Sequence, residues 1–105
     1  MARFDVFPNP GAHASTTPYL LDVQNDLLDG LDSRMVIPLR SLDHFAKVKL
    51  PARLMPVLHV NGNDYVLETT KMGAVPRRIL KTPLASFADK QDQITGALDF
   101  LFNGY

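Results

Sequence analysis

Two apolar runs, one around Tyr19, Leu20, Leu21 and Val23 and one around Met35, Val36, Ile37 and Leu39, bracket a stretch holding Asp26, Asp29, Gly30 and Asp32. That arrangement constrains the fold more than anything else in the chain. The apolar runs have the weight and strand propensity of buried sheet, whereas Asp and Gly together have the turn chemistry that ends one strand and begins the next. Residues 19–24 and 34–39 are therefore expected to be strands joined by an acidic loop, with Pro38 marking an edge position or a strand end.

The rest of the chain punctuates itself. Residues 4–7 alternate as a short strand. Residues 8–18 hold three prolines and a glycine without apolar period, so they read as a long flexible loop of the kind that often carries function. Residues 40–55 are irregular, with Leu42, Phe45, Ala46, Val48, Leu50 and Leu54 as apolar anchors for a helical turn and a loop closed by Pro51 and Pro56. Residues 57–60 and 65–70 flank Asn61-Gly62-Asn63, and Asn-Gly favours the positive φ angles of a tight hairpin. A further short strand is expected at 77–80. The period then changes: Phe87, Ile94, Ala97, Leu98, Leu101 and Phe102 follow helical spacing, Ser86 and Asp89 form a capping signature, and Gly104 fits a helix stop. The helix is predicted over residues 87–102. Strands in meander order followed by one helix predict an α+β fold, a small SH3-like antiparallel barrel or curled sheet with the helix packed on it.

At 105 residues the chain is expected to form one domain, spanning 1–105. With 46% apolar residues and no Trp its core is modest, which favours pairing with a second copy as a homodimer. The chain has no cysteine, so disulfides, thiolate metal sites and cysteine nucleophiles are excluded. The first residues lack the apolar core of a secretory signal, and no apolar stretch approaches the roughly 20 residues that span a bilayer. A cytoplasmic location, without membrane insertion, is expected. Charge is distributed in blocks. Residues 1–33 carry one arginine against five aspartates, residues 34–82 nine Lys or Arg against three acids, and residues 83–105 one lysine against three aspartates. Either the blocks form surfaces of opposite sign that attract different partners, or they intermix on folding.

Chemistry-bearing constellations are sparse. His13, His44 and His59 lack the paired spacing of metal ligands, so no metal is expected. The glycines fall singly, without a phosphate-cradling or dinucleotide pattern, so no cofactor is expected either. Asp22, Asp26, Asp29 and Asp32 read as solvated turn carboxylates rather than an acid–base pair. Arg77, Arg78 and Lys81 either track a phosphate backbone or are ordinary surface. The tail differs, because Asp99, Phe102, Asn103 and Tyr105 lie where the helix runs out and cannot bury both aromatics. Exposed aromatics suit a binding surface; the alternative is that Phe102 and Tyr105 fold back onto the core or meet a second copy.

The strings DVQNDLLD, SRMVIPL, MPVLHV and TTKMGAVP, followed by a terminal helix and LFNGY, resemble in order and spacing the CcdB family, the toxin half of bacterial toxin–antitoxin pairs. The resemblance covers nearly the whole chain. It implies an SH3-like barrel with one terminal helix, no enzymatic activity, and binding to the A subunit of DNA gyrase that traps the enzyme on cleaved DNA. By position, the gyrase surface comprises Leu27 and Leu28 in the acidic loop, Gly96 and Asp99 on the helix, and Phe102, Asn103, Gly104 and Tyr105 at the tail, with Asp26 and Asp29 as electrostatic neighbours. The tail departs from the family's Trp-Gly-Ile, since Asn103 stands in place of the stacking Trp, and Gly96 and Asp99 stand where members carry asparagines. Tyr105 offers an aromatic face two residues on.

The resemblance also implies a homodimer whose seam includes Leu101 and Met35 or Met72. It implies a small antitoxin with a disordered C-terminal segment, for which residues 8–18 with Arg40, Lys47 and Lys49 are candidate contacts, and contact with operator DNA only through the toxin–antitoxin complex. Two other classes stay open: a protein of this fold that keeps its antitoxin and operon regulation without poisoning gyrase, and a ribonuclease toxin on the same barrel.

Overall fold

The computed structural model describes residues 2–45 and 47–104. Ala46 and Tyr105, named above as an apolar anchor and a tail aromatic, lie outside the described residues. Seven strands form one antiparallel sheet: β1 (Asp5–Pro8), β2 (Tyr19–Asp22), β3 (Ser33–Ser41), β4 (Val57–Val60), β5 (Asn63–Leu67), β6 (Gly73–Pro76) and β7 (Ala85–Ser86). They run in the order β4-β5-β3-β2-β1-β7, with β6 also on β3. Among the described residues one α-helix, α1 (Gln91–Asn103), follows. This is the curled sheet with one terminal helix that the period changes predict.

β3 organises the sheet. One edge pairs with β2, placing Asp22 opposite Val36 and Tyr19 opposite Leu39. The other edge pairs with β6 over residues 33–36 and with β5 over residues 39–41. Pro38 is therefore neither at an edge nor at a strand end. It sits where one neighbour has stopped and the next has not begun, so its missing N–H costs no ladder bond, and its carbonyl accepts from Glu68 N at 3.0 Å.

Strand alternation gives β2 and β3 two apolar faces. Leu21, Ile37 and Leu39 enter the larger cluster with Phe4, Val6, Val23, Leu58, Leu67, Phe87, Ile94 and Ala97. Leu20 and Val36 enter the smaller one with Phe7 and Leu80. The helix contributes Ile94 and Ala97 to the larger cluster, both fully buried.

Several boundaries differ from the sequence reading for identifiable reasons. Residues 77–80 are not a strand: Arg77–Ile79 form a 3₁₀ turn, and the strand at this point is β6, just upstream. Gly-Ala-Val-Pro has too little alternation to announce itself. The first strand starts after Phe4, whose φ of 73° is left-handed. The helix starts at Gln91, not Phe87, after a 3₁₀ turn over Ala88–Lys90. Phe87 N donates to Phe4 O at 2.8 Å and Ser86 is held in β7, so neither is free to begin a helix. Ser86 Oγ instead accepts from Ala88 N at 3.2 Å. At the other end Gly104 adopts φ 79° and donates its N–H to Phe100 O, the left-handed stop expected there. Asn61 and Gly62, at φ 51° and 86°, make the predicted tight turn between β4 and β5. Within residues 40–55, Leu42–Phe45 form the helical turn, but Val48 is exposed and anchors nothing.

Candidate functional site

The connection between β2 and β3 is built around a buried arginine. Asp22 and Arg34 sit on the Leu20 and Val36 faces of neighbouring antiparallel strands, and both are fully buried. Arg34 Nε and Nη2 donate to Asp22 Oδ2 at 2.9 and 2.5 Å. Nη2 also points to Gln24 O at 3.5 Å, and Nη1 donates to Asp29 Oδ1 at 3.2 Å. Every guanidinium nitrogen thus has a partner, which is what a buried charge requires. Burial pushes the Asp22 carboxyl above its ordinary value, while the Arg34 guanidinium and the Gln24 N–H, which donates to Asp22 Oδ1 at 3.0 Å, offset part of that rise. Asp22 is thus no solvated turn carboxylate, and Asp29 is half-buried between two arginines; the turn expectation fits the exposed Asp26 and Asp32.

The loop itself is a run of tight turns. Asn25 Oδ1 accepts from Leu27 N at 2.9 Å and caps the 3₁₀ turn Asp26–Leu28, a side-chain role for which Asn is well suited. Successive i to i+3 bonds, Leu28 N to Asn25 O, Asp29 N to Asp26 O and Leu31 N to Leu28 O, carry the turn onward. Gln24 Nε2 donates to Leu28 O and Ser33 O, both at 3.2 Å, and so ties the loop's two ends. Arg77 reaches across from the turn after β6, donating to Asp29 O and lying 3.4 Å from Asp29 Oδ1. Arg3 N donates to Asp26 Oδ1 at 2.8 Å. What remains outward is apolar: Leu27 is 91% exposed, Leu28 50% and Leu31 51%.

The helix end forms the second candidate element. On a 3.6-residue period Ile94, Ala97, Leu98 and Leu101 share the core side, while Gly96, Asp99 and Asn103 lie opposite. Phe102, on the flank, is 69% exposed and does not fold back. Asn103 and Gly104 are exposed beside it. Gly96 and Asp99 line a depression of about 420 Å³ with Ala52, Arg53, Asp92 and Gln93, and the Arg53 guanidinium sits 4.9 Å from the Phe100 ring centroid. Among the described residues no hydrogen bond or ion pair joins residues 26–29 to residues 96–104. The loop is fixed through Arg3, Arg34 and Arg77, the helix through its own core face.

Residues 8–18 carry local order of their own. Asn9 Nδ2 donates to Thr17 O, Thr17 N to His13 O, and Ser41 N to Thr16 O. With Leu20, Pro38, Arg40, Glu68 and Lys71 this segment lines a second depression of about 430 Å³. His59 faces solvent from β4 and bonds Asp64 at 2.9 Å, and no group of three His, Asp or Glu side chains among the described residues is arranged to hold a metal.

Gln24, Arg34 and Leu31 were not singled out by the sequence reading, and Arg77 was named there only as a phosphate contact or ordinary surface, not as a partner of Asp29. Asp22 and Arg34 did leave a signal, two opposite charges each embedded in an apolar strand of a predicted neighbouring pair. Arg77 left none, because its partner depends on where β6 lays the chain. The blocks of charge intermix here, arginines of the basic middle meeting aspartates of the acidic beginning. A family model described as CcdB protein matches residues 3–104.

Proposed function

The chain belongs to the CcdB family, the toxins of bacterial toxin–antitoxin pairs, and we propose that it acts by binding the A subunit of DNA gyrase and holding the enzyme on cleaved DNA. The observation that carries this reading is exposure: Leu27 and Leu28 on the loop, and Phe102 with Asn103 and Gly104 at the helix end, stand free of the core at the positions to which the family's gyrase contacts correspond. Leu27, 91% exposed, and Phe102, 69% exposed, are the two most exposed of the large apolar side chains among the described residues, and on binding they supply the desolvated centre that a protein interface needs.

The action is binding without covalent chemistry. Leu27, Leu28 and Phe102 supply apolar contact, and Asp99 and Asn103 supply hydrogen-bonding groups beside it. Asn103 in place of an indole removes a stacking partner for an arginine, so affinity or the range of susceptible gyrases differs from Trp-bearing members. The toxin works as a cytoplasmic homodimer, with Leu101 and either Met35 or Met72, each half-buried here, at its seam. A small acidic antitoxin neutralises it, docking near residues 8–18 and Arg40, and the pair contacts operator DNA. No helix of the described residues is long and apolar enough to cross a membrane.

The test is inducible expression in a susceptible host and in one whose gyrase A subunit carries a resistance substitution, with purified protein added to a supercoiling reaction. Arrest in the first host alone, with cleaved DNA in the reaction, is expected. Unaltered supercoiling at high toxin concentration with no cleaved DNA would overturn the reading. A second reading draws on Asn103 and on the depression between residues 9–17 and Arg40: an antitoxin-binding regulator that leaves gyrase alone. It predicts growth in both hosts with tight antitoxin binding.

A further inference from the structure

An acidic loop invites the expectation that it meets a basic partner. The bonding around this one argues otherwise. Asp22 is buried against Arg34, Asp29 lies between Arg34 at 3.2 Å and Arg77 at 3.4 Å, and Asp26 accepts from Arg3 N and lies 3.9 Å from Arg34. Asp26 and Asp29 thus have cations or N–H donors of the same chain while their side chains stay 60% and 45% exposed, and Asp32 lies exposed beyond them. Leu27, Leu28 and Leu31, carried by a 3₁₀ turn and the turn that follows it, are the large apolar side chains this loop leaves in water.

Building on the gyrase reading, we propose that Arg34 and Arg77 are positioning residues that hold Asp29 toward the sheet and so present Leu27, Leu28 and Leu31 outward, so that the loop engages an apolar depression on its partner instead of a basic patch. Leu31 joins the contact surface, and the aspartates act through the loop's shape. An apolar contact of this kind governs dissociation and is insensitive to salt, whereas an acidic loop meeting a basic patch governs association and weakens as salt rises.

Two measurements decide it. In the first, amide exchange is compared between wild type and Arg77→Gln without any partner. Loop amides at residues 27–32 are expected to exchange faster by about tenfold, the factor appropriate to losing charge-assisted hydrogen bonds, with α1 amides unchanged. Equal loop rates overturn the positioning role. In the second, binding to the gyrase A subunit is followed for wild type, Leu31→Ala and Asp26→Asn from low to physiological salt. Leu31→Ala is expected to dissociate about fivefold faster or more, and Asp26→Asn to associate within about twofold of wild type with little salt dependence. A steep salt dependence lost in Asp26→Asn, or a Leu31→Ala complex as long-lived as wild type, overturns the apolar contact. Wild-type protein that fails to bind gyrase at all refutes the gyrase reading, while the exchange measurement still decides whether Arg77 positions the loop.

Discussion

Arg34 is the residue on which the candidate site turns. A buried ion pair is not in itself a source of stability, since an apolar pair of equal volume is often as good, but removing one partner strands the other. Arg34→Met is therefore expected to destabilise the protein by about 3–5 kcal/mol in urea unfolding, and adding Asp22→Asn to it to recover part of the loss. The pH dependence is a separate prediction. Because burial raises the Asp22 carboxyl above its unfolded value, the native state holds that proton more tightly. The contribution is fully present below the ordinary aspartate value and is lost as pH rises through the native one. Wild-type stability relative to Asp22→Asn should thus increase as pH falls through the carboxylate range, and the opposite slope would mean that Arg34 outweighs burial.

Among elements, the loop and the helix end are separable. The helix stop depends on the left-handed Gly104, at φ 79°, a conformation costing a side chain about 1–2 kcal/mol. Gly104→Ala should lower stability by about 1 kcal/mol at most, because the last turn can fray, yet weaken gyrase binding further by misplacing Phe102 and Asn103. Phe102→Ala, at an exposed site, should leave the urea midpoint within the range of surface substitutions, about 0.5 kcal/mol, while weakening gyrase binding and sparing antitoxin binding. These outcomes are read by paired unfolding and surface-binding measurements. By contrast Ile94→Ala, in the core face of α1, should cost about 2–5 kcal/mol and reduce every activity together.

At the scale of the molecule, legibility followed the range of the interaction. Hairpin β4–β5 was readable because Asn61-Gly62 encodes its own turn, and α1 because Ile94, Ala97 and Leu98 recur at helical period. β6 and β7 were not, being four residues and two residues long and defined by what they pair with rather than by pattern. Pro38 misled for a related reason: its tolerance in the central strand depends on the gap left between β6 and β5, a fact about two other segments. The site divides likewise. The exposure of Leu27, Leu28 and Phe102 follows from turn and helix-end sequence, whereas the arginines that hold the loop come from outside it, and only the folded sheet brings Arg77 to Asp29.

Strand β1 has one further consequence. Asp5 pairs with Ser86, and Phe4 O accepts from Phe87 N, so the earliest strand finds its outer neighbour only near the end of the chain. On a translating ribosome the leucine loop emerges before the helix carrying Phe102. Until then the first strand lacks β7, the larger core lacks Ile94 and Ala97, and the leucine loop and the helix end do not coexist. A chain stopped before α1 therefore carries the leucine loop without Phe102, and a core without Ile94 and Ala97.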